Sequence, residues 1–411
     1  MIPPDRFGVL PNHYLMRAIE GGVIDVGPMG LVAKHVQPAS LDLRLGDVAY
    51  RMRCSFLPGN ADVESRIREL AIDKLDLNGD GAVLETNRPY LIPLQERLRL
   101  PEGIRGKANP KSSTGRVDVF TRVITDGSYR FDEIAAGYAG GLYLEVVPLS
   151  FAVRLRKGLT LNQLRLVAGR RELSELSDDD VTELHRREPL LYVKGEAVPV
   201  RRLKLSGGLF LSLDLRGDRQ GRVGYRARES APLLDLTLPE PVDPAPFWET
   251  VVKERDLANR RTGDAASRDS PPGAATGVYG GGFSPPGRVV LTEKKFYLLM
   301  SEEAVVIPPG LASEMTAYDP TSGELRTHYA GFFDPGFGYD PAGGFLGAKA
   351  ALEVRAHDVP FMIEHGQQVC KLTFERMLEE PTILYGRGPE SNYQRQTEAL
   401  GKYFERKTPH R

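Results

Sequence analysis

The chain carries the same series of short segments twice. Tyr90-Leu-Ile-Pro93 through Leu100-Pro-Glu-Gly103-Ile104 returns as Tyr297-Leu-Leu-Met300 through Ile307-Pro-Pro-Gly310-Leu311, a spacing of 207 residues (90 to 297). Leu144-Glu-Val146 and Gly158 return as Leu352-Glu-Val354 and Gly366, a spacing of 208 (144 to 352). Upstream, Ser40-Leu-Asp-Leu-Arg44 reads again as Ser212-Leu-Asp-Leu-Arg216. An ordered series of this kind means one structural unit copied in tandem. A length of 411 residues agrees, being too long for one ordinary core. Two repeats are therefore expected. The first spans residues 1–199, with an N-terminal helix and a connecting helix, and the second spans 200–411.

Within each repeat the pattern favours strands. Val/Leu/Tyr-rich segments alternate with turn residues, drawn from 43 Gly and 31 Pro, which points to an all-β fold with a few short helices. Strands are expected over 39–45, 49–55, 90–94, 141–147 and 161–167. Asn12 is placed to cap a helix over 13–20 closed by Gly21 and Gly22, and Ser177 with Asp180 has capping-box spacing. Between about 254 and 288 the composition turns to Arg, Ser, Pro and Gly, which cannot bury a core. That stretch reads as a loop inserted in repeat two, and Gly280-Gly-Gly-Phe283-Ser284 within it as linker. Asp76-Leu-Asn-Gly-Asp-Gly81 imitates the start of a calcium loop, but the twelfth position is Asn87, so a β-hairpin turn is expected there.

A formal net charge of −1 gives no overall field for nucleic acid, so an anionic ligand must be met by local Lys and Arg. Cys54 and Cys370 offer no disulfide framework and suit a reducing cytoplasm. The N-terminus lacks a signal pattern and no 18-residue apolar run exists, so no membrane association is expected.

Pro110-Lys-Ser-Ser-Thr-Gly-Arg116 is the sharpest local signal. Two hydroxyls, a glycine that lets the backbone approach and cations at both ends make a phosphate strip, although composition alone equally fits a solvated turn. The spacing is not that of a Walker loop. Gln37-Pro-Ala-Ser-Leu-Asp-Leu-Arg-Leu-Gly46, Pro101-Glu-Gly103, this strip, Gly137-Tyr-Ala-Gly140, Leu144-Glu145 and Gly158 with Asn162-Gln-Leu164 follow in order. Together they resemble the dCTP deaminase and dUTPase superfamily, and within it the long bacterial dCTP deaminases with two repeats. The resemblance covers most of the chain outside 254–288. It implies a tandem duplication of a dUTPase-like distorted β jelly-roll (β-clip), with active sites between neighbouring copies.

In that family one copy gives the strip to the triphosphate, here Lys111, Ser112, Ser113, Thr114, Gly115 and Arg116. Another gives an Asp to the deoxyribose and a Glu to the base. Repeat one has Ala135 where the Asp is expected, in Glu133-Ile-Ala-Ala-Gly-Tyr138, whereas Phe332-Phe-Asp334-Pro-Gly-Phe337 of repeat two keeps it. Conversely, the counterpart of the strip in repeat two, Tyr318-Asp-Pro-Thr-Ser-Gly323, lacks the paired serines and the cation. Each copy retains what the other has lost, so a composite site is expected, within one chain or between chains.

Glu145 and Glu353 are both candidates for the proton shuttle. Glu353 is favoured because it shares a repeat with Asp334. The resemblance further implies that Ser112, Arg116 and the Ala330 carbonyl orient water, and that Phe337 or Tyr138 lies against the sugar. Tyr385 and Gln396, the latter in Ser391-Asn-Tyr393-Gln-Arg-Gln396, would close over the nucleotide, with Asn392 where a Lys is usual. Most cytosine deaminases hold zinc in a His/Cys set, which two isolated cysteines cannot build. No zinc and no protein-held metal are therefore expected, only Mg2+ carried by the triphosphate. The implied reaction is dCTP to dUTP and ammonia, on the way to dTTP. A dUTP diphosphatase, an enzyme performing both steps and an inactive nucleotide-binding regulator are the alternatives. The resemblance also implies dTTP as an inhibitor and a homo-oligomer with trimer-like packing of repeats.

Overall fold

The computed structural model describes residues 6–30, 33–254, 287–317, 325–327 (backbone), 331–387, 392–396 and 398–405. Nearly all of the inserted segment with Gly280–Ser284, the counterpart loop 318–323 and Ala330 lie outside the described residues. Repeat one is built mainly from two sheets. In one, the strand Tyr90–Arg99 lies between Val48–Met52 and Ala139–Pro148, and the latter also pairs with Val119–Ile124. In the other, Thr160–Ala168 lies between Ile104–Pro110 and Leu41–Arg44. Repeat two repeats this plan. Phe296–Val305 pairs with Ala348–Ala356, while Gln368–Arg376 lies between Leu209–Ser212 and Leu311–Ala317. Strands dominate both halves, and helices are short.

Small polar contacts recur with the sheets. The Tyr90 hydroxyl accepts from the Glu85 N–H at 3.1 Å, and the Tyr297 hydroxyl from the Thr292 N–H at 2.8 Å. Gly158 donates to the Leu45 carbonyl and Gly366 to the Leu213 carbonyl, both at 2.9 Å. The N–H groups of Arg44 and Ser212 likewise reach Glu96 and Glu303 at 2.9 Å. These contacts make Arg44 the counterpart of Ser212, and correct the expected match of Ser40–Arg44 with Ser212–Arg216, which is four residues out of register. An even shift leaves every side chain on the same face of a strand, so alternation alone could not expose the error.

Two local expectations change. The helix Asn12–Glu20 begins at Asn12 after an extended Pro11, without a side-chain cap. The Asn12 amide instead exchanges two bonds with Thr382, at 2.7 and 2.9 Å, tying the first helix to the far end of the chain. After Ala71–Asp76 the chain does not form a hairpin. That strand pairs with Val48–Met52, whereas Ala82–Leu84 joins Val153–Leu155 in another sheet. Gly81 permits this crossing, because a Cβ there would sit 1.9 Å from the Leu155 carbonyl oxygen. The Ser177 and Asp180 capping box is present and opens the helix Asp178–Arg187.

The repeats meet through their Thr160–Ala168 and Gln368–Arg376 sheets. Arg165 is fully buried there and donates to Asp334 at 3.1 Å and to the Ser313 carbonyl at 3.2 Å, with its guanidinium 3.9 Å from the Phe332 ring centre. Removing one partner from such a pair leaves an uncompensated buried charge and costs about 3–5 kcal/mol. Lys107 and Asn109 both donate to Glu314. Lys107 and Glu314 hold the same position in the two copies, so the duplication has acquired opposite charges where its halves touch. The Asp334 hairpin is buried against repeat one, whereas Glu133, Ala135 and Ala136 of the corresponding hairpin are exposed. The copies therefore join head to tail. Phe151 of repeat one, Phe247 and Trp248 of repeat two and Phe404 of the tail form an aromatic cluster with ring centres 5.3–5.8 Å apart. Among the described residues no helix is long and apolar enough to cross a membrane.

Candidate active site

The head-to-tail junction encloses a cavity of about 1250 Å³ lined by both repeats. At the end of the strand Ile104–Pro110 the chain makes one helical turn, Ser112–Gly115. Lys111, Ser112, Ser113, Gly115 and Arg116 face the cavity. Thr114, expected among the ligand contacts, turns inward instead. Its hydroxyl donates to the Leu161 carbonyl at 2.7 Å, because the turn must be fastened to the neighbouring strand. Lys111 pairs with Asp42 and donates to Thr160 Oγ1 at 3.1 Å.

Repeat two supplies the opposite wall. Asp334 and Phe337 come from its hairpin, and Glu353 from the strand Ala348–Ala356. Asp334 accepts from Arg165 and, at 3.3 Å, from Ser40 Oγ. Burial pushes its carboxyl up and Arg165 opposes that. Glu353 is pushed up to about 8, mainly by burial, with Arg116 pulling it down and Asp118 adding to the rise. At neutral pH such a carboxyl is mostly protonated. It is an acid held in a dry wall beside a guanidinium.

The C-terminal tail completes the enclosure, with Tyr385, Tyr393, Gln396, Lys402 and Tyr403 all lining it. Arg116 donates to Gln396 Oε1 at 2.6 Å and to the Ala399 carbonyl at 3.3 Å, and lies 3.8 Å from the Tyr393 ring centre. Gln396 in turn donates to the Lys349 carbonyl. A strip residue of repeat one is thereby clasped by a tail anchored on repeat two.

Two expected candidates lie elsewhere. Glu145 receives Arg122 Nε at 3.1 Å and a second guanidinium bond at 2.5 Å. Arg122 also donates to Ser55 and lies 3.7 Å from the Phe131 ring centre. Its carboxylate is neutralised inside repeat one and does not line the cavity, so Glu353 is the glutamate brought to the strip. Tyr138 is also remote. Its hydroxyl donates to the Gly141 carbonyl at 2.7 Å, since the repeat-one hairpin points away from the strip. Phe337 is the aromatic that remains.

Sequence motifs do not single out several residues that build the site. Behind the lining, fully buried Ser40 and Arg165 secure Asp334, a role that the Asn162-Gln163 motif stretch does not by itself disclose. Alternation along that strand, with Gln163 and Arg165 on one face, was the available signal. Lys402-Tyr403 also lines the cavity and is the tail's Lys-Tyr pair, whereas Tyr393 is preceded by Asn392. The segment from Asp235 to Pro241 also lines the cavity, after Leu234–Asp235 pairs in parallel with repeat one. Among the described residues, no three His, Cys, Asp or Glu side chains converge where they could hold a metal ion.

Comparison with known proteins gives a consistent picture. Residues 6–170 match the 2′-deoxycytidine 5′-triphosphate deaminase (DCD) N-terminal domain, and residues 177–258 and 283–404 match the C-terminal domain of the same family. A crystal structure of 2′-deoxycytidine 5′-triphosphate deaminase from Agrobacterium tumefaciens superposes with a TM-score of 0.76 at 39% identity, covering 92% of this chain and 99% of that one. A dCTP deaminase, dUMP-forming, from Methanospirillum hungatei is 26% identical over 186 residues, 44% of this chain and 94% of its own length. A dCTP deaminase from Haloarcula marismortui is 26% identical over 162 residues, 38% of this chain and 78% of its own.

Proposed function

The chain belongs to the 2′-deoxycytidine 5′-triphosphate deaminase family, and we propose that the cavity between its repeats is where the reaction occurs. The protein is an enzyme that deaminates dCTP. One observation carries the assignment of the site: Arg116 from one repeat and the buried acid Glu353 from the other line a single cavity.

Ser112, Ser113 and Arg116 bind the triphosphate through hydroxyl and guanidinium donors, with Lys402 at the tail as a further cation. Magnesium enters as part of the substrate, on phosphate oxygens and water. Asp42, a carboxylate that also lines the cavity, is already paired with Lys111. Asp334, held by Arg165 and Ser40, accepts the sugar hydroxyl, and Phe337 crowds the position of a 2′-hydroxyl. Protonated Glu353 donates to N3 of cytosine, leaving C4 electrophilic. Water adds at C4, and the carboxylate takes its proton and passes it to the amino nitrogen. The C4–N bond breaks, ammonia leaves, and the proton of the new hydroxyl returns to Glu353 as the C4 carbonyl forms. The free thiols of Cys54 and Cys370 support a cytoplasmic setting. dTTP shares the sugar and triphosphate and would compete for the same cavity. Chain association follows the family resemblance and is not needed to build the site.

Incubation with dCTP should release ammonia and dUTP in equal amounts, without pyrophosphate. Pyrophosphate and dUMP would establish the second reading, which the dUMP-forming relatives favour. Hydrolysis of dUTP with no ammonia from dCTP would overturn the proposal.

A further inference from the structure

Beside each half of the composite site stands a charge that this chemistry does not use. Asp118 follows Arg116 by two positions, and Arg355 follows Glu353 by two positions along the strand Ala348–Ala356, hence on the same face. Asp118 is fully buried and pairs with Arg355 across the repeat boundary. Its carboxylate also accepts from Ser150 Oγ at 2.5 Å. The backbone is fixed as well, since its N–H donates to the Gly115 carbonyl and its carbonyl accepts from Leu149, both at 2.9 Å. Its φ of 55° lies in the left-handed region, where a side chain costs conformational energy. The chain therefore keeps an aspartate where glycine would be easier. Arg355 is anchored from the other side by donating to the Lys294 carbonyl at 2.5 Å.

We propose that Asp118 and Arg355 are a positioning pair whose ion pair across the repeat boundary fixes Glu353 against Arg116. Arg116 and Asp118 of repeat one then face Glu353 and Arg355 of repeat two, and the Asp118–Arg355 ion pair sets the placement of the halves in which Glu353 lies beside Arg116. This rests on the composite-site reading of Arg116 and Glu353. Asp118 bonds Arg355 and Ser150, and the groups acting on or beside Glu353 are Arg116 and Asp118 from repeat one and Cys370 from its own repeat. The Asp118 charge also acts on Glu353 directly, adding to burial in holding that carboxyl up.

Asp118→Asn keeps a residue type that tolerates the left-handed backbone and removes the charge. It should lower kcat by about 10²-fold, the cost of a small misplacement at the reacting centre, with little change in KM. The fall in kcat/KM on the alkaline side should move to lower pH, because a negative charge beside Glu353 has gone. Arg355→Lys keeps the charge but not the planar fork, and should lose kcat without moving that limb. Wild-type kcat in both variants would overturn the pair. So would an unmoved limb in Asp118→Asn with kcat, KM and Tm all impaired together, which is what a merely structural contact gives. Glu353→Gln in the same assay separates the two readings. Full activity there sinks the composite site itself, whereas inactive Glu353→Gln beside normal Asp118→Asn sinks only the pair.

Discussion

Glu353→Gln should lower kcat by about 10²–10⁴-fold, the range general acid–base catalysis supplies, while dCTP still binds. The amide is nearly isosteric and neutral, like the protonated acid it replaces, so folding and the cavity wall should be preserved. It cannot give up a proton to N3 or take one from water. The same residue predicts a pH dependence. Glu353 is pushed up to about 8. Its acid form, which starts the reaction, predominates below that pH and is lost above it. The kcat/KM profile of the wild type should therefore be level near neutrality and fall as pH rises through about 8, and that limb should disappear in Glu353→Gln. A profile that instead rises toward pH 8 would show that the carboxylate form starts the reaction. Glu145→Gln supplies the control. Its carboxylate is occupied by Arg122 outside the cavity, so any loss there should appear as lower Tm and not as lower kcat.

Arg116→Ala should be the second large loss. Arg116 is at once a cation facing the substrate cavity and the clasp of the tail, through Gln396, the Ala399 carbonyl and the Tyr393 ring. Removing one positioned charge donor of this kind costs about 10²–10³-fold in kcat. Loss of the tail contacts should add a rise in KM, so kcat/KM falls further than kcat. Arg116→Lys restores the charge but neither the fork nor the stacking on Tyr393, and should recover little. Steady-state kinetics with dCTP check both. Near-normal kcat/KM in Arg116→Ala would leave the strip without its assigned role.

The duplication and the all-β character were legible, as was the set of residues from both copies that line one cavity, because they rest on turn residues and polar motifs, which keep their identity through divergence. Asp334, Ser112, Arg116 and Glu353 were found that way. Contacts between the copies were not legible. Arg165 looks like an ordinary strand residue until Asp334 of the other repeat is placed against it, and Asp118 looks like a turn residue until Arg355 arrives. Sequence favours Glu353 over Glu145 only through the repeat it shares with Asp334, and gives no sign that Arg122 occupies Glu145. Thr114 and Tyr138 misled for the complementary reason. Motif membership says which residues lie near a site, and only packing says which way each side chain turns. The Ser40–Arg44 match failed because a four-residue slip preserves strand alternation.

The central claim, a site assembled by the two repeats of one chain, is tested most directly by mixing chains. Arg116→Ala and Glu353→Gln variants, co-expressed and purified together, each carry a broken half of the site. If every site is intramolecular, the mixture gives no more dCTP deamination than the average of the two variants alone. If the halves came from different chains, random pairing would restore about a quarter of wild-type sites, and activity at that level would contradict the account.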